Sequence, residues 1–197
     1  MLSIGEKVIH CIRGAGIITE KKELQITGAP APYFVIQLLG SRSTLMVPQD
    51  KAEQRLRPVS KRATLRRLLA NHLAGKPNEL PQDHKKRAKH IESELKSGET
   101  KKWAEVVRDL ICREQENSLS SADRQLLDRA LYLLAGELAL SQGIDHEEAK
   151  NHLLSAARQE YDSQDPQVPP SEWQQTLGQR VKRSFTKSST QAEIRAD

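Results

Sequence analysis

The 197-residue sequence predicts an α+β protein: a small, strongly bent β-sheet or open barrel, then an all-α helical bundle, then a disordered tail. Three observations predict it. Short apolar runs separated by Gly- and Pro-containing turns fill residues 1–59. Apolar residues recur at helical spacing, between capping and stop signals, over residues 60–161. Residues 162–197 are poor in apolar side chains and begin with a polar stretch holding three prolines.

The β segment contains four runs rich in Val, Ile, Leu and aromatics: Lys7–Ile12, Gly16–Thr19, Tyr33–Leu39 and Ser43–Pro48. Between them stand Arg13-Gly14-Ala15-Gly16, Thr27-Gly28-Ala29-Pro30 and Gly40-Ser41-Arg42, each a turn signal. Four or five short strands at this spacing form a small sheet with little to bury by itself. In the helical segment, Ser60 is placed to cap a first helix with Ala63, Leu65, Leu68, Leu69 and Leu73 inward, stopped by Gly75 and Pro77. Asp83 caps a second, with Ala88, Ile91 and Leu95 inward and Gly98 as its stop. A third spans Thr100 to Glu116 around Trp103, Val106, Val107, Leu110 and Ile111. Ser120 and Asp123 make a capping box for a fourth, which Gly143 ends. A fifth begins at Asp145. Five amphipathic helices with short links imply a compact bundle.

Composition narrows the function classes. The two cysteines, Cys11 and Cys112, are far apart and belong to no metal-ligand spacing, as expected of plain thiols in a reducing compartment. No apolar run approaches the ~20 residues of a membrane span, so a cytoplasmic protein is expected. There is no phosphate-binding Gly-rich loop, no HExxH and no GxSxG, and the six histidines are scattered singly. Carboxylates alternate with Lys and Arg along the helices, as on a solvated face. These features point away from an enzyme, a cofactor, a bound metal or a small-molecule substrate.

Charge is unevenly placed. The net charge is +5, yet residues 61–113 alone carry fourteen Lys/Arg against seven Asp/Glu. The densest part is His84-Lys85-Lys86-Arg87-Ala88-Lys89, at the start of the second helix. Such a run is either a solvated face or a grip on phosphates, which counterion release would favour. Contacts of that kind position a protein without reading bases. In the β segment, Leu45-Met46-Val47-Pro48 is apolar on both faces and ends in Pro, which suits an edge strand able to pair with a partner's sheet. Periodicity equally allows Met46 to fill the small core.

These pieces, in this order, resemble the CarD/CdnL family of bacterial transcription regulators. The opening Gly5-Glu6-Lys7-Val8-Ile9-His10 is similar to the family's GDxVVxP start. Thr27-Gly28 and Tyr33-Phe34-Val35-Ile36 resemble its xGxxxxYYVL segment, and Leu45–Glu53 its MVPxDKAE signature. Leu56-Arg57-Pro58-Val59 resembles its LRPV, and Leu95–Glu99, Ala104–Leu110 and Leu133–Leu140 also fit. The resemblance covers roughly residues 3–143.

It implies a Tudor-like N-terminal domain (1–59), shared with the transcription-repair coupling factor, that binds the RNA polymerase β subunit strand to strand. Ile36, Met46 and Pro48 correspond to the polymerase-binding residues; where some members use arginines, this chain has Leu24 and Met46. It further implies a helical domain (60–161) that lies on promoter DNA at the upstream bubble edge and stabilises the open complex. The matching DNA-binding positions are His84, Lys85, Lys86, Arg87 and Lys89. In the family's WxxRYR-like segment, His84 stands at the tryptophan and Ala88 at the tyrosine position, so an aromatic wedge in a base step is weakened here. Trp103 falls on a core face of the next helix. The competing reading is a Tudor-like protein-interaction module with a helical dimerisation domain and no DNA role.

Overall fold

The computed structural model describes residues 2–25, 29–41 and 43–164, with side chains to residue 158. The turn expected at Thr27-Gly28, Arg42, and the tail from residue 165, with the basic stretch Arg180-Val181-Lys182-Arg183, lie outside the described residues. Residues up to Arg158 form one compact unit.

Five strands build one antiparallel sheet: β1 (Lys7–His10), β2 (Gly14–Leu24), β3 (Ala31–Leu38), β4 (Thr44–Pro48) and β5 (Leu56–Pro58). Their order is β4-β3-β2-β1-β5, so β4 and β5 are the two edges. The apolar runs foretold four of the strands. β2 extends five residues beyond its apolar run, because Glu20–Leu24 pair with Ala31–Val35 across the hairpin. Charged residues are held there by Glu20–Lys22, paired at 2.6 Å, and by Lys21 lying over the Phe34 ring. β5 is three residues long, and its pairing with β1 is what defines it.

The two faces of the sheet bury different things. Strand side chains alternate, so Val8, Ile18, Phe34, Ile36, Leu38 and Val47 share one face and form a small core closed by Leu56 and Ala52 of the short helix α1 (Ala52–Arg55). On the opposite face, Ile9 and Ala15 join the core of the helices. Those helices are α2 (Arg62–Leu73), α3 (His84–Lys96), α4 (Thr100–Glu116), α5 (Ser121–Gln142) and α6 (His146–Gln164).

Most local signals act as the sequence suggests. The Asp83 side chain accepts the Lys86 N–H at 2.8 Å, and Ser120 Oγ accepts the Asp123 N–H at 3.1 Å. Gly98 and Gly143 end their helices in the left-handed region, at φ +76° and +74°. Ser60 differs. It does not cap α2, because its hydroxyl donates to Glu137 at 2.7 Å, and Lys61 occupies the N-cap without a side-chain bond. Ala63 is exposed rather than inward, and α6 runs to Gln164, past residue 161.

The change at residues 59–60 is one of secondary structure, not of packing. A Cβ on Gly136 of α5 would stand 2.9 Å from the Ala15 Cβ, so glycine lets helix and sheet approach closely. Lys7 Nζ donates to the Leu140 carbonyl at 2.9 Å, and the Tyr132 hydroxyl donates to the Leu39 carbonyl at 2.9 Å.

Candidate functional site: a sheet edge and a basic helix

The alternation that sorts the cores also decides what the β4 edge can present. Among the described residues β4 has a strand neighbour on one side only, which leaves a strand-shaped edge for a further partner. In its register with β3, Met46 lies opposite Val35 and Pro48 opposite Tyr33. This set faces away from the small core, on the part of the sheet face beyond the α5 contact. Met46 is 50% exposed and Pro48 half-buried, while Tyr33 and Val35 form a buried floor that belongs to neither core. Ile36, one of the three residues expected at this edge, is corrected by its register. It pairs with Leu45 and points into the small core, where it is 1% exposed. Leu24, opposite Ala31 at the far end of the β2–β3 hairpin, is half-buried.

The α3 start also divides. Arg87 does not join the cationic face. It is 3% exposed and grips Asp123 of α5 through Nε at 3.0 Å and Nη2 at 2.8 Å. Its third nitrogen donates to the carbonyls of Pro81 and Gln82, at 2.9 and 3.0 Å. The guanidinium hydrogen bonds hold the Asp123 carboxyl below the usual carboxylate range, helped by Ser120 against the opposing effect of burial. Arg87 is therefore a bracket that fixes the α3 start to α5. What it fixes is an exposed set: His84, Lys85, Lys86 and Lys89, with Ala88 half-buried beneath. Their side chains make no ion pair or hydrogen bond among the described residues. Lys85 and Lys89, four apart, stand one turn above each other.

Between edge and helix lies a polar network that composition alone does not reveal. Glu137 of α5 is fully buried. Arg57 of β5 donates to both its oxygens at 2.7 Å, and Thr100 Oγ1 and the Ser60 hydroxyl donate at 2.8 and 2.7 Å. Arg57 also donates to the Gly98 carbonyl at 3.0 Å and lies over the Trp103 ring. Burial would raise the Glu137 pKa, but Arg57 and the two hydroxyls outweigh it and hold the group below its ordinary value. Sheet, α4 start and α5 thus meet on one carboxylate. Trp103 is fully buried and donates to the Leu95 carbonyl at 3.0 Å, so it is core, as its helical position suggested.

Comparison with known proteins bears on both parts. The model for the CarD-like/TRCF RID domain matches residues 2–60, and that for the CarD C-terminal domain matches residues 69–154. "Putative transcription factor YdeB" of Bacillus subtilis (strain 168) is 31% identical over 152 residues, covering 77% of this chain and 99% of the relative. The chain belongs to the CarD-like family. This CarD-like chain is thereby placed among transcription regulators, a family of transcription factors rather than a class of enzyme. No group of three or more His, Cys, Asp or Glu among the described residues could hold a metal ion, and no described helix is long and apolar enough to cross a membrane. Cys11 and Cys112 are free thiols, half-buried and buried.

Two site features escaped sequence reasoning. Val35 lies beside the exposed Met46 and Tyr33 beside Pro48, and an apolar run on both faces of β3 gave no way to assign them. Arg87 had a usable signal: Arg87, Ile91 and Leu95 are spaced four apart, which places all three on one helix face.

Proposed function

We propose that this CarD-like chain regulates transcription by docking on the RNA polymerase β subunit through the free edge of β4, and by holding promoter DNA with the exposed face of α3. The observation that carries the reading is the edge strand β4 with Met46 half-exposed beside the buried Val35, in the segment matching the RID family model. Docking by strand addition takes affinity from backbone pairing and register from side chains such as Met46 and Pro48. Lys85, Lys86 and Lys89 supply phosphate contacts that carry no base preference. Held near the upstream edge of the bubble, they stabilise the open complex. His84 is exposed at the first helical position, where it adds a donor and a small ring rather than a wedge. The chain acts in the cytoplasm, on the nucleoid, wherever polymerase carries it.

Retention of the protein on the isolated polymerase β-lobe tests the docking. Met46→Glu puts a charge where an apolar side chain is to be covered, and should weaken binding by at least about ten-fold, the equivalent of ~1.4 kcal/mol. Equal retention of variant and wild type refutes the edge model. The withdrawal of Arg87 into the core favours one second reading, a protein-interaction module without a DNA role. That reading expects duplex binding with no dependence on Lys85, Lys86 and Lys89, whereas the first expects the salt slope to flatten when they become Gln.

A further inference from the structure

The exposed α3 cations have a counterpart elsewhere in the chain. From residue 54 to residue 78 the chain carries seven Lys or Arg and no Asp or Glu. Four of the seven, Lys61, Arg62, Arg66 and Arg67, fall at the start of α2, and all four are exposed. None of their side chains makes an ion pair or hydrogen bond among the described residues. Several other exposed cations are paired: Lys22 with Glu20, Lys96 with Glu92, Lys101 with Glu105, Lys102 with Glu94 and Glu99.

The arrangement works against the isolated helix. Arg62 and Arg66 are like charges four apart. Lys61 and Arg62 sit at the positive end of the helix dipole, with no acidic residue in the first turn. The exposed residues between Arg62 and Arg66 are Ala63 and Thr64, both too small to hold a partner's backbone away. Three of the four cations are arginine, whose planar fork meets phosphate oxygens two at a time.

Position completes the case. α2 follows directly on β5, and β5 is the sheet edge opposite β4. The two edges are four strand spacings apart along the sheet, and α2 leaves from the β5 end rather than from the strand that offers the free edge. α2 also runs alongside α4 in the same direction: Ser60 and Thr100 share Glu137, and Arg108 reaches the His72 carbonyl. α3 runs the other way, with Leu95 against Trp103. The basic starts of α2 and α3 therefore lie at opposite ends of α4, a helix of 17 residues or about 25 Å.

We propose that the exposed start of α2 is a second nucleic-acid surface, in which Arg62, Arg66 and Arg67, with Lys61, contact the phosphate backbone of duplex DNA independently of α3. The inference rests on the chain being a DNA-contacting regulator, not on the α3 contact itself. A surface of this kind is sequence-blind and governed by counterion release.

The test is the salt dependence of binding to a labelled duplex of about 30 base pairs, measured on the full chain by fluorescence anisotropy. The variant Arg62→Gln/Arg66→Gln/Arg67→Gln is compared with Lys85→Gln/Lys86→Gln/Lys89→Gln and with wild type. If each arginine meets one phosphate, the α2 variant loses about 2.7 from the slope of log K on log salt. Wild-type affinity should then fall about 40-fold further than the variant's between roughly 50 and 200 mM salt. The triple Arg→Lys variant keeps the charge and should keep the slope. An unchanged slope in the Gln variant overturns the proposal. So does a Lys variant that loses the slope as fully as the Gln variant, since a fold defect then explains both. Loss of polymerase retention with an unchanged slope also overturns it, and assigns the face to an acidic protein surface. A flat response of the α3 variant alone sinks the α3 reading and leaves the α2 surface standing.

Discussion

Replacing Arg57 by Met would strip the buried Glu137 of its counter-charge while leaving its hydroxyl partners in place. The carboxylate loses two hydrogen bonds of 2.7 Å, and Thr100 Oγ1 and the Gly98 carbonyl lose donors at 2.9 and 3.0 Å. Removing one partner of a buried ion pair costs about 3–5 kcal/mol. The Arg57 side chain is 31% exposed although Glu137 is not exposed at all, so water can reach part of the vacated space and the loss should be near 3 kcal/mol at pH 7. The pH dependence makes the prediction specific. In the wild type the Glu137 pKa is depressed on folding, so its contribution is present above the unfolded carboxylate value and is lost as pH falls through the folded one. In Arg57→Met burial is opposed only by the Ser60 and Thr100 hydrogen bonds, so the pKa rises and protonation relieves the penalty. The gap between the proteins should therefore narrow from pH 7 to pH 5. Urea unfolding followed by tryptophan fluorescence reads this directly, because the Trp103 ring lies under Arg57. A gap below about 1 kcal/mol at pH 7, or one that does not narrow at pH 5, refutes the account of this network.

The other substitutions separate structural from functional roles. Arg87→Met leaves Asp123 buried and unpaired, and should cost about 3–5 kcal/mol in urea unfolding. At salt and temperature where that variant remains folded, its slope for duplex binding should equal the wild type's, and a flattened slope would return Arg87 to the DNA-contacting set. Gly98→Ala forces a left-handed backbone at φ +76° and places a Cβ 2.6 Å from the Cys11 Cβ. Backbone strain of about 1–2 kcal/mol and a displaced turn should lower the melting temperature by several degrees, and an unchanged melt would show that the two turns are not in obligatory contact.

The helices were legible because each is punctuated locally. Asp83, Ser120 with Asp123, Gly98 and Gly143 act within a few residues of themselves, so a linear reading finds them. What the sequence concealed is long-range. Ser60 looks like a cap until Glu137, 77 residues away, claims its hydroxyl. Arg87 looks like one cation in a run until Asp123, 36 residues on, takes it inward. Ile36 and Val35 are both apolar, and only the register of β3 against β4 shows that Ile36 packs inside while Val35 lies beside Met46 on the other face. β5 has too few residues to announce a period, and exists as a strand because β1 offers it an edge. The basic residues of the candidate site were found by counting charge. Which of them face solvent was fixed by helix phase, a signal present in the sequence and outweighed by the density of the run.

β1 has a place in this molecule that its four residues do not suggest. Val8 belongs to the small core and its neighbour Ile9 to the core of the helices, so the strand is a common wall read from both sides. An added residue would consequently act very differently at different places along the chain. A residue added to the β2–β3 hairpin lengthens a turn, whereas one added within β1 exchanges the two inward residues and spoils both interiors at once. The reach of the hairpin can change without disturbing either core, but the four residues of β1 are held to a fixed count.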